Sequence, residues 1–334
     1  MKQKILCLSF LSIFYCACSS YAQTFPIVIQ NSPIPAPPSS VVPDLHIRIS
    51  ASASATILTS FRASNRLVAS AVTQGGTTPS NGVNSQTTNM WYQVDILGTT
   101  GAQTGFVAAG TVFSNPVCAV QYITVGSSAV NIRPSAGNLT SNVTIGGLPA
   151  HIYPGQKFAV TSSQVVSGVT WYKIDLPEDA GASYPYNCSQ YYGWVSGSTA
   201  YVTLSTTGTN ALPTPTSLTN TTPTSNGAIL NWNMSYYPSN TYFTFYNSNN
   251  IQLSSFGGAT NPFTPTSYTF SNLTSCTNYN IYVQASLNGC LSGSSNAVNF
   301  TTSGTTPGSP TANAATNITA SSFTANWGGC YRCF

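Results

Sequence analysis

The run Trp91-Tyr92-Gln93-Val94-Asp95-Ile96 returns eighty residues later as Trp171-Tyr172-Lys173-Ile174-Asp175-Leu176. An aromatic pair followed by alternating polar and apolar residues is a strand with one buried face. Its repetition marks two copies of one small β unit in the first two thirds of the chain. The 334 residues allow two to four small domains.

Only 4% of the residues are charged, where globular chains carry about 25%. Ser, Thr, Asn and Gly make up the missing polarity. They are poor helix formers, common in strands and turns, so the composition points to an all-β protein. Net charge is +4, and Lys2 and Lys4 belong to the leader. The remaining basic side chains are scattered and form no phosphate-binding patch. Nucleic acid is therefore not an expected partner.

Residues 1–22 read as a secretory signal. Lys2 and Lys4 open it, an apolar run from Ile5 to Cys18 follows, and Ser20-Tyr21-Ala22 supplies the small residues of a cleavage site. The run is too short for a bilayer-spanning helix, and no later stretch is apolar enough for one. Lipidation at Cys18 is the competing reading, although the usual Leu three residues before it is absent. A mature chain starting at Gln23 resembles Bacteroidetes-type exported proteins. Residues 23–44 hold Pro26, Pro33, Pro35, Pro37, Pro38 and Pro43. Proline lacks a backbone donor and fixes φ, so this segment is expected to be an extended linker.

Each copy has the same order of motifs. The first runs Leu45-His46-Ile47-Arg48, a small-residue loop, a strand over 66–72, the Trp91 strand and Gly105-Phe106-Val107. The second runs Val130-Asn131-Ile132-Arg133, a loop, Pro154-Gly155, a strand over 157–162, the Trp171 strand and Gly193-Trp194-Val195. This order resembles the bacterial SH3-like domain. The resemblance implies small barrels over 45–113 and 117–205, and contact with cell-wall peptidoglycan or peptides. The first copy departs at His46, at Phe106 and in lacking a turn glycine before Leu67.

Both copies carry insertions, 73–89 in the first and 177–192 in the second. The latter brings Tyr184, Tyr186, Tyr191 and Tyr192. Loops on a rigid scaffold are where binding residues usually sit, and tyrosine gives contact area with a polar tip. Two readings stay open: a binding loop for a glycan or peptide, or a cover over one end of the barrel. Trp91 and Trp171 are either ligand contacts or core and groove wall. Asp95 and Asp175 read as surface residues paired with Lys or Arg. Cys118 and Cys188 flank and enter the second copy, and a bridge between them suits an oxidising compartment.

After a linker over 206–213, residues 214–303 show regular short strands, including Ala228-Ile229-Leu230-Asn231-Trp232. The pattern Leu273-x-x-x-Thr277-x-Tyr279-x-Ile281-x-Val283-x-Ala285 resembles the E–F corner of fibronectin type III domains. This resemblance implies a seven-stranded, immunoglobulin-like sandwich. In it the Tyr279 hydroxyl bonds back to the backbone and Trp232 fills the core. Cys276 and Cys290 flank the Tyr279 strand, and a bridge between them is expected. A zinc site needs four ligands, and this stretch has no His.

Residues 304–334 resemble the first strands of another such domain, through Phe323 and Trp327. The tail from Gly328 to Phe334 departs from that pattern. Removing one base from a plausible coding sequence restores Trp-Ala-Ala-Val-Thr-Gly-Ala, so a shifted reading frame is expected here. The Cys330-x-x-Cys333 spacing lacks the βαβ context of a redox motif.

After the leader, His46, His151, Asp44, Asp95, Asp175, Glu178 and Asp179 are the whole supply of His and acids. No nucleophile elbow, phosphate loop or HExxH motif occurs. The expectation is an all-β, non-catalytic, secreted or cell-surface binding or adhesion protein, with no cofactor and no metal. Its SH3-like units would contact peptidoglycan, a glycan or a peptide, and its sandwich would act as spacer. The alternative is the targeting portion of a truncated cell-wall or polysaccharide hydrolase.

Overall fold

The computed structural model describes residues 25–31, 45–61, 65–76, 90–109, 114–176, 192–234, 241–257, 267–304 and 311–328. Every regular element among them is a β-strand, and every strand pairing is antiparallel. The first unit contains β1 (Ile27–Asn31), β2 (Leu45–Arg48), β3 (Ile57–Phe61), β4 (Arg66–Gln74), β5 (Met90–Ile96), β6 (Gln103–Ala108) and β7 (Ser114–Val117). They form one sheet in the order β3-β2-β6-β5-β4-β1-β7. The second unit contains β8 (Gln121–Val125), β9 (Val130–Asn131), β10 (Thr144–Ile145), β11 (Leu148–Pro149), β12 (His151–Ile152), β13 (Lys157–Val166), β14 (Val169–Asp175), β15 (Tyr192–Ser196) and β16 (Val202–Thr206). Its main sheet runs β15-β14-β13-β8-β16, which repeats the order β6-β5-β4-β1-β7.

The repeat extends to the register. Gln93 pairs with Phe106 as Lys173 pairs with Trp194. Arg48 then pairs with Phe106 as Arg133 pairs with Trp194. A Cβ on Gly105 would run into the Ile47 methyl, and one on Gly193 into the Ile132 methyl. Glycine before the closing aromatic therefore lets the Ile-Arg strand cross directly over it. Among the described residues, neither main sheet closes on itself into a barrel.

The expected linker over 23–44 is corrected at its start. Residues 27–31 are β1, held between β4 and β7. Ile27, Val28 and Ile29 are buried. A strand covered on both faces reads as a continuous apolar run rather than an alternating one. The repeating unit thus begins one strand earlier than its Ile-Arg motif, as β8 does in the second copy.

The two units meet along a reciprocal seam. Asn65 Nδ2 donates to the Leu176 carbonyl at 2.8 Å, and the Arg66 N–H donates to the Asp175 carboxylate at 2.9 Å. In return, Gln156 Nε2 donates to the Ile96 carbonyl at 2.9 Å, and the Lys157 N–H to the Asp95 carboxylate at 2.8 Å. Val28, Val68, Val120 and Ala159 pack together at the centre. Backbone bonds between Gly98 and His151 add a further link.

Asp95 and Asp175 are thus not surface residues. Each is 9% exposed, because the first residue of a strand in the other unit covers it. Burial pushes the Asp175 carboxyl up to about 6, against the pull of the Arg66 N–H and of the Arg66 and Lys173 charges. Burial also raises Asp95, opposed by the Lys157 N–H and charge. A carboxyl raised by folding costs nothing at low pH, where folded and unfolded chains both hold the proton. The cost grows as pH rises from about 4 through 6 and persists above that, on the order of 3 kcal/mol for Asp175. Asp175→Asn keeps an acceptor for Arg66 and is expected to stabilise the protein at pH 7. It should also flatten the loss of stability between pH 4 and 6.5, as read from urea unfolding midpoints across that range.

The third module contains β17 (Thr216–Asn220), β18 (Ala228–Asn233), β19 (Tyr242–Asn247), β20 (Gln252–Gly257), β21 (Ser267–Phe270), β22 (Asn278–Leu287), β23 (Cys290–Leu291) and β24 (Val298–Thr301). One sheet is β17-β18-β21, and the other is β20-β19-β22 with β23 and β24 on β22. The sandwich implied by the sequence is therefore present. Trp232 lies between the sheets, with its ring centroid 5.2 Å from Phe243 and 5.7 Å from Phe245. Tyr279 Oη accepts the Thr274 N–H at 2.9 Å and pins the corner before β22. Where the last strand is interrupted, Ser292 and Ser295 hydroxyls accept the Ala285 and Val283 N–H groups. Hydroxyls take over what a ladder would otherwise do, which suits a chain so poor in charge.

The cysteine pairing differs from expectation. Cys118 bonds to Cys290, with their Cα atoms 5.3 Å apart. Cys276 is also disulfide-bonded, but not to Cys290. Cys276 and Cys290 stand at opposite ends of β22, whose ten residues extend about 33 Å, far beyond the reach of a bridge. Cys188 lies outside the described residues.

The stretch over 206–213 is likewise no free linker. Thr207 bonds to Val120 through backbone and hydroxyl, Leu212 and Leu291 exchange backbone bonds with this segment, and Ala211 and Leu212 are buried. One apolar core runs from the first unit through these residues into the sandwich. Beyond it, β25 (Thr311–Thr316) and β26 (Thr324–Gly328) pair as a hairpin that leaves Ile318, Phe323 and Trp327 exposed.

Candidate ligand-binding cleft

In the second unit, a cleft of about 370 Å³ opens over Trp171. Trp171 comes from β14. One wall is Val130, Asn131 and Arg133, and the other is the β13–β14 turn with Val169. Leu139, Val169 and Tyr201 form an exposed apolar rim, at 72%, 40% and 46% exposure.

The wall is held by its own side chains. Arg133 Nη1 donates to the Ser141 carbonyl at 3.0 Å and to Asn142 Oδ1 at 2.6 Å. Asn138 Oδ1 accepts the Thr140 and Ser141 N–H groups at 3.0 and 2.9 Å. Asn favours this kind of turn because its short side chain reaches its own following backbone. Gly137, at φ +77°, faces Val166 so closely that a Cβ would collide. The loop is thereby set against the β13–β14 turn and leaves the space above Trp171 clear. Arg133 is the one charged residue lining the cleft among the described residues. An apolar floor and rim with one guanidinium and a few amides and hydroxyls suits a mostly neutral ligand bearing a hydrogen-bond acceptor.

The equivalent place in the first unit is shut. Both tryptophans are buried, Trp91 at 1% and Trp171 at 6% exposure, but the Trp91 indole donates to the Gly76 carbonyl at 2.8 Å. Gly76 in turn bonds to the Ala51 carbonyl at 2.8 Å, so the end of β4 lies over the loop after β2. Arg48 holds that loop through Ala55 at 2.7 Å, as Arg133 does in the second unit. No counterpart of the Trp91 indole bond forms at Trp171 among the described residues.

Of the sequence candidates, the structure puts Trp171 at a cleft and Trp91 in the core. Tyr192 belongs to β15, opposite Asp175, with Lys173 Nζ 4.0 Å from its ring centroid. Tyr184, Tyr186 and Tyr191 lie outside the described residues. Sequence reasoning missed Leu139, Val169 and Tyr201 as rim residues. In the sequence, Arg133 stands out only as part of a repeat motif. A large apolar residue inside a Ser/Asn/Gly loop, as at Leu139, was the available signal. Among the described residues, no group of three or more His, Cys, Asp or Glu side chains could hold a metal ion. No helix there is long and apolar enough to cross a membrane.

No family model matches the chain, and no curated protein does. Among solved structures, it is similar to the FN1–FN3 domains of chicken CNTN1, at 12% identity over 78% of this chain and 99% of that one, with a TM-score of 0.24. It is also similar to the central fibronectin-III array of RIM-binding protein, at 14% identity over 63% and 79% with a TM-score of 0.22. Domains A168–A170 of titin are similar at 11% identity over 64% and 74%, with a TM-score of 0.24.

Proposed function

We propose that this chain is an exported, non-catalytic binding protein whose second unit is an SH3-like module that holds a cell-wall glycan or peptide over Trp171. The first unit and the sandwich are its support. The observation that carries this reading is the contrast between the repeats. The same strand register gives a sealed Trp91 in one unit and an open, rimmed cleft in the other. The Lys-flanked apolar leader and the Cys118–Cys290 disulfide both suit an oxidising, exported setting.

Pelleting with purified peptidoglycan tests the proposal. The wild-type chain is expected to bind saturably. Leu139→Ser with Tyr201→Ala removes the two most exposed rim side chains and touches no core position. It is expected to weaken binding about tenfold, as loss of two apolar anchors does, with an unchanged circular dichroism spectrum. Competition by soluble glycan strands or by stem peptide then tells which part of the polymer is held. Absence of binding by the wild type, or undiminished binding by the variant, would sink the reading.

A further inference from the structure

The seam between the units has a property that ordinary domain interfaces lack. Each unit supplies both halves of every repeated contact. The second unit offers acceptors at Asp175 and Leu176 and donors at Gln156 and Lys157; the first offers acceptors at Asp95 and Ile96 and donors at Asn65 and Arg66. Chemical type is kept at each place: Asp for Asp, an aliphatic residue's carbonyl for another, Gln for Asn, Lys for Arg. A surface that holds both halves of its own contacts is the requirement for a two-fold interface between identical partners.

We propose that each unit carries a self-complementary face, and that the second unit by itself pairs with a second copy of itself through the contacts that here join it to the first. The apolar centre permits the exchange. Val28 pairs with Val68 on β1 and β4 where Tyr122 pairs with Ala159 on β8 and β13. Val120 and Ala159 are the second unit's share of the buried centre, with Tyr122 partly buried beside them. In a symmetric pair these small and aromatic apolar side chains meet their own copies, an all-apolar exchange of the kind that cores tolerate best. The second unit also brings its own core, from Ile123 and Phe158 to Val195 and Val202, to which the first unit adds only Leu97. The position matching Gly98 in the second unit is Glu178, outside the described residues, so the comparison of repeated contacts leaves out the Gly98–His151 bridge.

Sedimentation equilibrium of residues 118–206, with the cysteines replaced by serine, tests this. A dimer is expected, with the Lys157 amide protected from hydrogen exchange. Every seam contact occurs twice in a symmetric pair. Asp175→Ala should therefore raise the dissociation constant about tenfold or more, from two lost hydrogen bonds, and leave a folded monomer at low concentration. A folded wild-type unit that stays monomeric with an unprotected Lys157 amide overturns the proposal. Should the unit not fold alone, the full chain with residues 25–117 replaced by a second copy of 118–206 takes its place. Cooperative folding with both Lys157 amides protected supports the proposal, and failure to fold or an unprotected seam overturns it.

Discussion

Replacing Cys118 and Cys290 together by alanine is expected to lower the unfolding free energy by about 4 kcal/mol. The bridge spans 172 residues, and the loop-closure entropy that it removes from the unfolded chain grows with the logarithm of that span. The loss should be local in its first expression. The bridge ties the exit of the first unit to the start of β23 in the sandwich, beside the backbone bonds of Leu212 and Leu291. Hydrogen exchange at the Leu212 and Leu291 amides should therefore rise before the β4, β13 or β22 amides change. Equal protection at the junction in variant and wild type would show that the buried Ala211–Leu212 segment holds the modules together without the bridge.

Trp232→Ala is expected to cost 3–5 kcal/mol, the range for truncating a large buried aromatic. Trp232 is 2% exposed and is packed by Phe243, Phe245 and Phe256 from the opposite sheet. Those rings stand on regular strands and cannot collapse into the vacated space without breaking the β19–β20 ladder. The effect should appear as loss of near-ultraviolet circular dichroism and early exchange of β22 amides, with the seam between the first two units intact. A cost below about 1 kcal/mol would mean that the sandwich core relaxes around the gap, contrary to the ring packing.

Much of this architecture is legible in local sequence because it depends on local periodicity. The Trp-Tyr strands, the Gly-aromatic-Val closures and the Tyr279 corner were each readable from short windows, and each appears in place. β1 was not readable. A strand buried on both faces has no alternation, and the prolines around it read as an extended tether. Asp95 and Asp175 misled for a related reason. An acid in an alternating strand looks solvent-facing until another unit covers it, and nothing within the strand announces the cover.

The candidate cleft divides the same way. Trp171 could be singled out from its repeat position, but so could Trp91. What separates them is whether a neighbouring loop lies across the indole, and that depends on contacts such as Gly76 with Ala51 and Gly137 with Val166. The cysteines follow suit: spacing suggested partners near in sequence, while the extended length of β22 keeps them apart and brings Cys290 to Cys118 from 172 residues away.

By itself, then, the order of residues determined the all-β class, the duplication and the sandwich, because strand periodicity and turn chemistry act over a few residues. Only the tertiary structure decided which carboxylates are buried, which cysteines meet and which of two equivalent, buried tryptophans lines a cleft. Each of those depends on which distant surface comes to lie against it, and free energies of burial and bridging are properties of that encounter.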